Sequence, residues 1–126
     1  MKRERLDMEF IFRASPTIIY NFVTTPACLV RWYCIEVDIT NDAYTFYWQG
    51  SSESATLVDD IEDERVRFVW DDADDRSEFL EFRMYKSDIT NETILEITDF
   101  CNADEVQEVK DLWHTLMIEL KKECGG

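Results

Sequence analysis

Near the end of the chain, Val106, Val109, Trp113, Leu116, Met117 and Leu120 recur at spacings of three and four. That period puts all six on one face of a helix. The spacing predicts a helix over about 103–123. Asn102 or Asp104 can cap its start, and Asp104 and Glu105 suit its positive end, as Lys121 and Lys122 suit its negative end. At 1.5 Å per residue this helix is about 30 Å long, enough to cross a small domain. An apolar stripe of that length has to be covered, so the rest of the chain must supply a surface of matching extent.

The preceding residues read as that surface. Leu6, Met8, Phe10 and Phe12 alternate with polar neighbours, the period of a half-buried strand over 5–13. Ser15 and Pro16 then open a helix over about 16–24, with Ile19, Tyr20 and Val23 on one stripe. Thr25-Pro26 interrupts it, and a second short helix is expected over about 26–33. Six alternating runs follow. They carry Ile35, Val37 and Ile39; Tyr44, Phe46 and Trp48; Ala55, Leu57 and Ile61; Val66, Phe68 and Trp70; Leu80, Phe82 and Met84; and Leu95 and Ile97. Turn-forming clusters separate them, and connections this short favour antiparallel neighbours. Asp38-Ile39-Thr40-Asn41 recurs as Asp88-Ile89-Thr90-Asn91, which reads as a reused turn rather than a repeat. The expected fold class is α+β: a curved antiparallel sheet of about six or seven strands over one long C-terminal helix. With only three glycines and two prolines there is no linker-like stretch, so residues 1–126 are expected to form one domain.

Composition narrows the function classes. Thirteen Lys and Arg stand against 28 Asp and Glu, a net charge of −15. Such a field repels phosphate, so neither nucleic acid nor an anionic membrane surface is an expected partner. It keeps the chain soluble and is compatible with a cationic ligand or a basic partner. No apolar run approaches the ~20 residues of a membrane span, and no apolar stretch follows the basic start, so insertion and export are not expected. Cys28, Cys34, Cys101 and Cys124 form no CxxC pair, so a zinc site is not expected, and a reducing cytosol would keep them as thiols. A cytoplasmic location fits these thiols.

Against this background, Ala14-Ser15-Pro16 with Tyr20, Thr24, Pro26 and Arg31-Trp32-Tyr33 resembles the opening helices of the START-like superfamily. The pattern is similar, without a gap, to the branch holding the C-terminal domain of the Hsp90 ATPase activator. Tyr20 and Tyr33 stand where that branch usually has tryptophan. Arg65 to Trp70 resembles its later strand, and Ile94 to Thr98 with Leu112-Trp113 resembles its last strand and final helix. The resemblance implies a helix-grip fold with a cavity between sheet and long helix. Its members include carriers of apolar ligands, polyketide cyclases and a co-chaperone domain, so fold alone does not name the function.

Few residues invite chemistry. His114 is the only histidine and projects to the flank of the apolar stripe, away from any nucleophile motif. Asp71 to Asp75 lacks the glycine and distal glutamate of a calcium loop and reads as a solvated hairpin. No cofactor and no metal are expected. The aromatics are more informative: Tyr44, Phe46, Trp48, Phe68, Trp70 and Phe82 on strands, with Trp113 and Met117 on the covering helix. They read either as plain core or as the lining of a ligand cavity, with Tyr20, Arg31 and Trp32 as polar handles near its mouth, Arg31 reading equally as a surface ion-pair partner. Non-catalytic binding of a small apolar or amphipathic ligand is the leading expectation. A protein-interaction module and a cyclase- or hydrolase-like enzyme are the alternatives, and the chain is expected to be a monomer or a homodimer.

Overall fold

Alternation of apolar and polar side chains produces the strands, and the computed structural model describes residues 2–126. In chain order the elements are β1 (Arg3–Phe12), α1 (Pro16–Thr24), α2 (Pro26–Leu29), β2 (Glu36–Thr40), β3 (Ala43–Trp48), β4 (Ser51–Ile61), β5 (Arg65–Trp70), β6 (Leu80–Lys86), β7 (Thr93–Asn102) and α3 (Val106–Cys124). A single turn of 3-10 helix, Ala103–Glu105, leads into α3. The seven strands form one antiparallel sheet in the order β1-β7-β6-β5-β4-β3-β2. The first strand therefore lies beside the last, and α1 and α2 carry the chain from one sheet edge to the other.

The inner face of the sheet packs on the helices. Phe10 and Phe12 of β1, Leu95 and Ile97 of β7, and Phe82 and Met84 of β6 form one buried core with Trp113, Met117 and Leu120 of α3. Burial of such side chains contributes roughly 1.5–3 kcal/mol each. Val109 and Leu116 are half-buried at the margin of the stripe. The outer face is polar. There Glu81, only 4% exposed, is paired with Arg67 and Arg83, and the Arg67 guanidinium lies 3.9 Å from the Phe79 ring centre. None of the described helices is long and apolar enough to cross a membrane.

Start and stop signals act as the residue types predict. The Ser15 side chain accepts from the Ile18 N–H at 3.3 Å, with Pro16 opening α1. Asn102 precedes α3, its own N–H donating to Glu105 Oε1 at 3.3 Å. Asn41 and Asn91 both take positive φ, 55° and 62°. The two Asp-Ile-Thr-Asn segments thus share a left-handed asparagine. Their first three residues differ, being strand in one and turn in the other.

Three local expectations are corrected. The second helix stops at Leu29 rather than near 33, because the Leu29 carbonyl takes the N–H groups of Trp32, Tyr33 and Cys34 in place of a continuing ladder. Ile35 does not join the inner face. It precedes edge strand β2 and is 63% exposed. Ile61 does not share a face with Ala55 and Leu57. A bulge between Leu57 and Asp59 shifts the register, so that Asp60 pairs with buried Val66 while Ile61 pairs with Arg65. An extra residue in one strand turns every later side chain to the other face. Here it aims Asp60 at α1, where it accepts from the Tyr20 hydroxyl at 2.6 Å.

Candidate functional site

A cavity of about 920 Å³, partly open to solvent, lies where the ends of β3, β5, β6 and β7 meet the first half of α3. The sheet contributes Trp48, Trp70, Leu80 and Asp99, and α3 contributes Leu112, Trp113 and Leu116. Tyr33 enters from the turn after α2, and the loop between β5 and β6 closes one side with Asp72 to Asp75, Glu78 and Phe79. Volumes of roughly 300–1,000 Å³ are those of small-molecule sites.

Hydrogen bonds fix the wall. Trp48 Nε1 donates to the Tyr33 carbonyl at 2.7 Å, which ties β3 to the turn after α2. The Tyr33 ring stacks on Trp113 at 6.3 Å and 18° and meets Trp48 edge-on at 5.5 Å. Trp113 Nε1 donates to Asp99 Oδ2 at 2.9 Å, and the Phe100 N–H donates to Asp99 Oδ1 at 2.8 Å. The flanking loop is latched by Arg76, whose Nη1 donates to the Trp70 carbonyl at 2.6 Å and the Asp71 carbonyl at 3.3 Å. Asp75 Oδ1 holds the loop's far turn by accepting from the Ser77 N–H at 2.9 Å and hydroxyl at 2.6 Å.

The site is strongly acidic. Glu53, Asp72, Asp74, Asp75, Glu78 and Asp99 reach it, against Arg3 alone. Arg3 is already engaged, donating to both Glu78 oxygens at 3.1 and 2.7 Å. Burial raises the pKa of Asp99 above the ordinary carboxylate value, although the bonds from Trp113 and Phe100 pull the other way. Glu53 is raised as well, first by partial burial and then by the charge of Asp72. Burial also pushes up the Tyr33 phenol, with the Asp99 and Glu53 charges adding to it. A ring of carboxylates around apolar faces can hold a proton, donate a hydrogen bond once protonated, or receive a cation.

The expected ligand residues divide between wall and core. Trp48, Trp70 and Trp113 line the cavity. Trp32, Phe46, Phe68, Phe82 and Met117 are buried in the core behind it. Phe46 supports the wall from behind, 5.2 Å from the Tyr33 ring and 5.9 Å from Trp70. Phe82 stands 5.9 Å from Trp113 and 6.3 Å from Trp32, whose Nε1 donates to the Phe22 carbonyl at 2.8 Å. Tyr20 stands at α1, bonded to Asp60, away from the cavity wall. Within Arg31-Trp32-Tyr33, only Arg31 is exposed. His114 is also exposed, edge-on to Phe10 at 5.4 Å and outside the wall.

Sequence reasoning missed Tyr33, Glu53 and Asp99 as wall residues. Phase carried a signal for Asp99, which follows Leu95 and Ile97 at intervals of two. The acidic loop, expected as a plain solvated hairpin, places Asp72, Asp74 and Asp75 on the cavity. No group of three or more His, Cys, Asp or Glu is arranged to hold a metal among the described residues.

The same fold recurs in solved structures. BfR322 from Bacteroides fragilis is 30% identical, with a TM-score of 0.69 over 98% of this chain and 93% of that one. The Aha1 dimer from Colwellia psychrerythraea is 17% identical, with a TM-score of 0.82 over 96% of each chain. CalU16 from Micromonospora echinospora is 18% identical, with a TM-score of 0.73 over 94% of this chain and 73% of that one. At the lower identities the likeness is one of fold. No curated protein matches the chain. The model of the START-like superfamily domain matches residues 1–126, and the chain belongs to that superfamily.

Proposed function

We propose that this protein binds a small amphipathic molecule in the cavity under α3 and does not transform it. The observation that carries this reading is the cavity itself: about 920 Å³ walled by Tyr33, Trp48, Trp70, Trp113 and Leu116. Aromatic and aliphatic walls with a few convergent polar groups are the usual make-up of a ligand site. The wall is also preorganised, since its indole N–H groups at Trp48 and Trp113 are already bonded within the protein. A rigid pocket loses less freedom on binding. Against an enzymatic role stands the placement of His114 outside the wall.

Native mass spectrometry of the protein purified under mild conditions tests the reading. The expected result is a mass increment of a few hundred daltons that disappears in Ala73→Trp, a variant that fills the cavity from its loop side. A wild-type spectrum without any adduct after incubation with amphipathic additives, or an adduct retained equally by Ala73→Trp, contradicts it.

A further inference from the structure

The cavity brings together aromatic faces and six carboxylates against one cation, Arg3, which is paired with Glu78. Glu53 pairs across the sheet with buried Phe46, and Asp99 pairs with buried Leu6. Paired residues share a face, so both carboxylates stand where alternation ordinarily places an apolar side chain. For Asp99, half-buried among apolar neighbours, a charge is costly unless something compensates it, whereas Glu53 is exposed. The nearby cations are already engaged: Arg3 with Glu78 of the same wall and with Asn102 Oδ1 at 2.9 Å, and Arg76 with backbone carbonyls. Asp72 and Asp74 add negative charge to the rim and make no ion pair among the described residues.

Ligand classes fare differently in such a site. An anionic head meets six carboxylates and only Arg3, already paired with Glu78, in its favour. A neutral amphiphile gains only the apolar contact. An ammonium group gains attraction from the carboxylates and from the negative faces of Tyr33, Trp48, Trp70 and Trp113. Building on the reading of this cavity as a ligand site, we propose that its occupant is an organic cation. It is an amphipathic amine or quaternary ammonium, its head among Glu53, Asp99 and the indole faces and its apolar body against Leu112 and Leu116. Burial raises the proton affinity of both Asp99 and Glu53, and the Asp72 charge adds to it at Glu53.

Isothermal titration calorimetry of the full chain at low salt tests this with three probes of one chain length: decyltrimethylammonium, decanol and decanoate, each below its micellar range. The expected result is one cation bound per chain, at least about tenfold tighter than decanoate. Glu53 is exposed at the mouth, so Glu53→Gln keeps the fold. It should weaken the cation by about tenfold and leave decanol unchanged. Asp88→Asn, in the β6–β7 turn at the far end of the sheet, should change none of the three affinities. Equal affinities for all three probes overturn the cation inference while leaving the cavity reading intact. Equal losses in Glu53→Gln and Asp88→Asn also overturn it, because they reveal attraction to the overall charge. Failure of all three probes to bind overturns both readings.

Discussion

Asp99 stands in phase with Leu95 and Ile97 on the inner face of β7, yet it is a carboxylate. Its two oxygens are used by the Trp113 indole and the Phe100 amide, so it organises the cavity wall while remaining short of a counter-charge. Burial raises its folded pKa above the ordinary value of 3.8. The folded state then holds the proton more tightly than the unfolded state, and stability falls as pH rises through the window that opens at 3.8. Asp99→Asn lacks this titration. The melting temperature of wild type relative to Asp99→Asn should therefore decline as the pH is raised from the acid side of that window to its neutral side. A difference that stays flat, or that grows in favour of wild type, contradicts this account of Asp99.

Helix α3 performs two tasks with different residues. Its second half closes the core through Met117, 2% exposed, and Leu120. Leu112 and Leu116, nearer the middle of the helix, roof the cavity, and Leu112 is 54% exposed. Met117→Ala should cost about 2–5 kcal/mol in urea unfolding, the range for large-to-small changes in a packed core. Leu112→Ala should cost no more than about 0.5 kcal/mol, as at a surface position, while weakening ligand binding. Similar stability losses for the two variants would show that the roof is part of the core.

At the scale of elements the sequence is largely legible. The stripe on α3, the cap at Ser15-Pro16 and the alternation of six runs all lead to the observed arrangement, because each is a local pattern with a single period. The bulge at Val58 and the early end of α2 were not legible. One depends on pairing with β5, the other on a carbonyl that gathers three N–H groups. The cavity was legible only in part for the same kind of reason. Trp48, Trp70 and Trp113 belong to the wall and Phe46, Phe68 and Phe82 to the core, although all six lie on inward-facing positions. Period assigns a face. It does not assign distance from the end of the sheet, where the cover of α3 gives way to the loop of Asp72 to Phe79.

At the scale of the whole molecule, the net charge of −15 is concentrated in function by the fold, which brings several carboxylates to one aromatic cavity. The core behind the wall holds that cavity open by packing Phe46 and Phe82 against Tyr33 and Trp113. The account rests on small molecules entering there, and the chain carries its own reporters. Of its four tryptophans, three line the cavity, while Trp32 is buried and bonded to the Phe22 carbonyl. The most direct measurement follows the indole N–H signals in a proton–nitrogen correlation spectrum during titration with decyltrimethylammonium and, separately, decanol. Saturable shifts at Trp48, Trp70 and Trp113, with Trp32 moving least, are the predicted result. Shifts of equal size at all four indoles, or none at the three wall tryptophans, would contradict the account.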